Sequence, residues 1–174
     1  SSMLSEAEIT GCLENIIDMV SGLNPGIRIM FTVSPVRHKA DGLHVNNLSK
    51  ARLLLAVDRA IELHGNRALY FPAYELVMDD LRDYRFYAAD MCHPSETAVD
   101  YVFSRFAQAY ITDAAMATAA KCLKISRRLS HRQMTADEEA FARFREATQR
   151  ELTSLQKEHP ELTETIQRII TNMH

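Results

Sequence analysis

I-R-I-M-F-T-V-S, residues 27–34, is rich in β-branched and aromatic side chains and is closed by Pro35. A near-continuous apolar run of this kind is what a strand covered on both faces of an α/β sheet requires. A polar loop follows, P-V-R-H-K-A-D-G-L-H (35–44), and Asn46 or Asn47 is then expected to cap a helix that runs to about His64 and closes at Gly65-Asn66. A second short run, R-A-L-Y-F (67–71), ends at Pro72 and reads as another strand. Strand, loop, helix, strand is a βαβ unit, which predicts parallel strands with a right-handed connection. Upstream, Ile9, Leu13, Ile16, Ile17 and Val20 share one face of an amphipathic helix over 5–21, stopped by Ser21-Gly22 and Asn24-Pro25-Gly26.

Open α/β sheets bind ligands outside the C-terminal ends of their strands. The loops at those ends are 35–45 and 72–95, which carry Arg37, His38 and the block D-M-C-H-P-S (90–95). Asp90 and His93 stand three residues apart on a predicted turn. There the carboxylate can accept from one ring nitrogen and leave the other to move a proton. Ser95 is a good N-cap and opens a helix to about Tyr110, whose Val99, Val102, Phe103, Phe106 and Tyr110 are expected in the core. Between them, 75–82 reads as a short helix. Other partners compete for the loop side chains: Asp79, Asp80 or Asp83 for Arg37 and Arg85, and backbone groups for His38.

Past residue 111 the pattern is wholly helical. Residues 113–130 place Ala115, Ala119, Cys122 and Leu129 on one side and the basic row Lys121, Lys124, Arg127, Arg128 and Arg132 on another. A capping box at Thr135–Glu138 opens a helix to about Glu158, with Phe141, Phe144, Leu152 and Leu155 on a narrow stripe. Pro160 begins a final helix, 160–172, with Leu162, Ile166, Ile169 and Ile170. The expected organisation is an α/β part over 1–110 and a helical appendage over 111–174. The basic row supports a second reading, a non-catalytic interaction module meeting an acidic partner, unless Asp137, Glu138 and Glu139 neutralise it within the chain.

Composition narrows the classes. At 174 residues and 47% hydrophobic, the chain can bury a real core. Its net charge of −3 gives no positive field for nucleic acid. Cys12, Cys92 and Cys122 lie far apart without metal-ligand spacing, so reduced thiols and a cytoplasmic setting are expected. His38, His44, His64 and His93 fall at no recognised ligand spacing either, so neither a metal nor a cofactor is expected. No apolar run approaches a membrane span.

Two strands do not make a self-sufficient sheet, and a fully apolar first strand calls for a neighbour. The chain is therefore expected to be a piece of a larger protein, or to pair its open edge with a missing half or a second copy. At this point the residues carry a resemblance. F-T-V-S-P-V-R-H (31–38), D-G-L-H-V-N-N-L-S-K (41–50), Y-F-P-A-Y-E-L-V-M-D-D-L-R-D-Y-R-F-Y (70–87), D-M-C-H-P-S (90–95) and the later L-S-H-R (129–132) resemble the C-terminal half of the GSCFA family, a bacterial family related to the SGNH (GDSL-type) hydrolases. The resemblance implies a partial flavodoxin-like three-layer α/β/α fold and hydrolysis of an ester, such as an O-acyl group on a carbohydrate or lipid. It also implies that Asp90 and His93 are the acid and base of a Ser-His-Asp triad, with Arg37 and His38 toward the substrate. The namesake G-S-C-F-A segment is absent, and none of the seven serines before residue 96 sits in a nucleophile context. The expectation is half an active site, inactive alone.

Overall fold

The computed structural model describes residues 3–129, 138–165 and 168. Contacts divide the chain into two compact units, Ser1–Ala109 and Tyr110–His174.

The first unit opens with α1 (Glu6–Leu23). Ser5 accepts from the Glu8 amide, and Glu8 reaches back to the Ser5 amide at 2.7 Å, forming a reciprocal capping box. Ser5→Ala removes one side of that box and should lower thermal stability by about 1 kcal/mol, read from the shift of the melting midpoint. Helix α1 runs through Ser21-Gly22 and stops only at Asn24, whose side chain accepts from the Gly26 amide. A serine and a glycine in a well-packed helix do not break it without a turn that supplies other partners.

Strand β1 (Ile29–Phe31) pairs in parallel with β2 (Ala68–Tyr70), in the register Ile29–Ala68, Met30–Leu69 and Phe31–Tyr70. Both strands are shorter than the apolar runs that predict them, and they form the sheet of the described residues. Between them lies α2 (Leu43–His64), closed by Gly65 at φ +54, a left-handed value suited to glycine. Gly42, not Asn46 or Asn47, is the N-cap residue, so the start has no side-chain cap, and Asn46, inside the first turn, accepts from the His38 amide (2.9 Å).

Ile17, Ala60 and Ala68 are fully or almost fully buried together, with Leu13, Ile29, Phe31 and Ile61 packed around them. Alternate strand residues Ile29 and Phe31 thus face α1 and α2, as the two-residue period of a strand dictates. After β2 the chain turns through α3 (Ala73–Glu75), widens into a π-helical turn over Leu76–Leu81, and leaves it at Arg82 in the left-handed region (φ 48). Helix α4 (Glu96–Tyr110) starts on Ser95, whose hydroxyl accepts from the Ala98 amide. It buries Ala98 and Ala107 and sets Phe106 edge-on to Phe71. Val99, Phe103 and Tyr110, expected in the core, are about half exposed. Small residues let α4 approach closely on the alanine side, and that rotates the aromatic stripe outward.

In the second unit, α5 (Asp113–Leu129) and α6 (Glu138–Glu158) pack through Ile125, Leu152 and Leu155, with Cys122, Leu129 and Leu162 closing the cluster. Thr148 lies on the same stripe of α6, its hydroxyl returned to the Phe144 carbonyl. Pro160 sits in a short 3-10 turn, Pro160–Leu162. The predicted capping residues 135–137, Arg132, most of L-S-H-R and the end of the predicted last helix, with Ile166, Ile169 and Ile170, lie outside the described residues. Among the described residues no helix is long and apolar enough to cross a membrane. The architecture is α/β in the broad sense: mostly helical around a small parallel sheet.

Candidate acid–base site

Residues 86–95 form a narrow loop pinched at its base. Tyr87 and Pro94 make an antiparallel bridge, the Ser95 amide donates to the Phe86 carbonyl (2.8 Å), and the Ala88 amide donates to that of His93 (2.8 Å). At the tip, Met91 takes φ +59, a left-handed value that tightens the turn. This brings Asp90 and His93 together. The Asp90 Oδ2 atom accepts from His93 Nδ1 at 2.5 Å, while Oδ1 accepts from the amides of Cys92 (2.8 Å) and His93 (3.0 Å).

An ionised carboxylate has only lone pairs to offer, so the proton of this bond rests on Nδ1 and the lone pair of the neutral ring is on Nε2. No described residue takes a hydrogen bond from Nε2. The imidazole is a base with its tautomer fixed. The His93 hydrogen bond and then the two amides hold the Asp90 carboxyl well below the usual carboxylate range. Both side chains are open to solvent, His93 at 65% and Asp90 at 49% exposure.

The loop is fastened to the end of the first strand. The Arg37 amide donates to the Cys92 carbonyl (3.1 Å), and Lys39 Nζ donates to the Asp90 carbonyl. The two loops that sequence reasoning placed beside each other therefore do meet, through backbone groups. Arg37 does not pair with Asp79, Asp80 or Asp83. Its guanidinium lies over the rings of Tyr84 (5.2 Å) and Tyr87 (4.6 Å), which raises its pKa further, chiefly through the Tyr84 hydroxyl. Arg85 does make the expected ion pair, with Asp83 at 3.6 Å.

His38 lines a cleft of about 430 Å³ with Asp41 and Arg52, while Arg37 lines a different cavity of about 200 Å³. Asp90 and His93 line neither. The four candidate residues thus share two joined loops but not one pocket.

A comparison with protein families finds that the GSCFA family model matches residues 1–106. The chain belongs to the GSCFA family. The match takes in the strands, the loops they feed and the whole Asp90–His93 turn. Comparison with curated proteins and with solved structures yields no match. Sequence reasoning passed over Lys50, which this GSCFA chain buries on α2. The signal was present, since Asn46, Lys50 and Val57 fall at four- and seven-residue steps on the buried face.

Proposed function

We propose that this chain carries the acid–base half of an SGNH-type serine hydrolase acting on an ester or O-acyl group. In this reading, 1–110 is the C-terminal part of a flavodoxin-like α/β/α domain and 111–174 a helical appendage. The observation that carries it is the Asp90–His93 pair, joined at 2.5 Å through Nδ1 on an exposed ring whose Nε2 makes no hydrogen bond to a described residue.

A serine supplied by a G-S-C-F-A block attacks the acyl carbonyl, and its hydroxyl proton passes to His93 Nε2. Asp90 stabilises the imidazolium that results. The proton then goes to the departing alkoxide, leaving an acyl-serine. Water repeats the sequence, with His93 taking its proton, and frees the acid. The exposure of His93 leaves room for the nucleophile to approach. In this reading Arg37 and His38, on the adjoining loop over 35–45, contact the substrate.

The test is a fluorophosphonate probe, which labels activated serines, applied to this chain and to the native-length protein. Labelling is expected in the native-length protein alone and is lost in its His93→Ala variant. A native-length protein that is not labelled sinks the proposal.

The interaction-module reading is less well supported. Lys121 pairs with Glu158 at 2.8 Å, and Arg128 and Lys124 both pair with Glu151, at 2.6 and 3.5 Å. These partners, Glu151 and Glu158, lie in the second half of α6, because a helix returning antiparallel brings its far turns beside the row.

A further inference from the structure

The cavity beside Arg37 contains a second cation. Lys50 is only 7% exposed, and its Nζ donates to the Ser34 carbonyl at 2.5 Å, just past the end of β1. That bond uses one of its three N–H groups. The walls include Arg37, Lys50, Asn46, Asn47, Tyr74 and Tyr84, and no acidic residue lines the cavity. Neither cation forms an ion pair with a carboxylate among the described residues; Arg37 is held by tyrosine rings and Lys50 by a carbonyl.

Asn47 accepts from Asn46 Nδ2 (3.3 Å), which leaves its own amide protons for another acceptor. The first turn of α2, whose Leu43 also borders the cavity, has neither an acidic residue nor a side-chain cap. Its backbone dipole therefore adds to the positive field. Burial also pushes the Lys50 ammonium below the ordinary lysine range, the mark of a charge that lacks compensation. A buried cation without a partner is costly, and a cavity of about 200 Å³ holds the volume of some six waters, enough for a small charged group.

We infer that this cavity binds a small oxyanion, a carboxylate or phosphate group, between Lys50 and Arg37. Taken with the hydrolase reading on which this part rests, it gives the substrate an acidic group flanked by Tyr74 and Tyr84. The anion site itself needs no catalysis to be measured.

The experiment is calorimetric titration of this chain with sodium acetate and, separately, inorganic phosphate, against sodium chloride at matched ionic strength. Melting curves are recorded alongside. Saturable binding of at least one oxyanion is expected, with a rise in melting temperature that chloride does not give. Acetate alone assigns the site to a carboxylate, and phosphate to a phosphoryl group. Lys50→Met keeps an unbranched apolar stem one atom shorter, and should weaken binding at least about tenfold while still melting cooperatively. Lys50→Arg should retain part of it. No saturable binding in the wild-type chain, or binding unchanged in Lys50→Met, overturns the inference. Because the readout is binding, a chain that binds the anion while the native-length protein fails the fluorophosphonate test keeps the site and loses the hydrolase.

Discussion

On the proposed hydrolase reading, ester turnover by the native-length protein is expected to fall ~10,000-fold when Asp90 is replaced by Asn, with little change in substrate binding. The reason lies in which atoms carry protons. An asparagine oxygen can still accept from the Cys92 and His93 amides, so the turn survives. The other terminus becomes an NH₂ group facing His93 Nδ1. It must donate, so the imidazole moves its proton to Nε2, where the base needs a lone pair. The defect should therefore appear in kcat, and His93→Ala should add little further loss, because the two act as a unit. A fall of less than tenfold would remove Asp90 from the mechanism. The same substitution alters the acid response. The folded pKa of Asp90 lies below its unfolded value, so its stabilising contribution is complete above about pH 4 and is lost as pH falls through the folded value. Asp90→Asn should flatten that part of the acid-unfolding curve.

The largest structural effect is expected at Ile17. It is fully buried where α1, α2 and β2 meet, and its neighbours include Ala60 and Ala68, which are too short to fill a vacated space. Ile17→Ala should cost about 2–5 kcal/mol, toward the upper end because the site cannot collapse. Ile16, next in sequence, is 46% exposed, and Ile16→Ala should stay within about 0.5 kcal/mol. Urea unfolding followed by tyrosine fluorescence separates the two, since five of the six tyrosines belong to Ser1–Ala109. Equal midpoints for the two variants would contradict the packing described.

Much of this was legible in the sequence. The β-branched run over 27–34, the helix to His64 and the run to Pro72 gave a parallel βαβ unit, because apolar periodicity and terminating glycine and proline act locally. Asp90 and His93 met as spacing suggested, since a short turn admits few arrangements. Partner choice was harder to read. Arg37 was expected to pair with Asp79, Asp80 or Asp83 yet lies on two tyrosines, and Asn46 spends its oxygen on a loop amide instead of capping its helix. Both outcomes depend on what the loop over 35–45 touches, and periodicity holds no record of that. The outward face of α4 has a similar origin. Its aromatic stripe looks like core, but the alanine side is the one that fits against Phe71 and its neighbours. GSCFA membership follows from the family match; the nucleophile and the substrate stay with the proposals above.

The Asp90–His93 turn has one more consequence. Every hydrogen bond accepted by the Asp90 carboxylate spans three residues or fewer, and the loop is closed at its base by its own backbone. Loops of this length close in about 10–100 ns, far faster than a parallel sheet can assemble. The aspartate and histidine therefore form a cassette, set by about ten residues of chain and anchored in place by the Arg37 and Lys39 bonds. Selection acting on such a cassette has its internal spacing already settled. What is left to its surroundings is the approach to the one ring nitrogen that the cassette leaves without a protein partner.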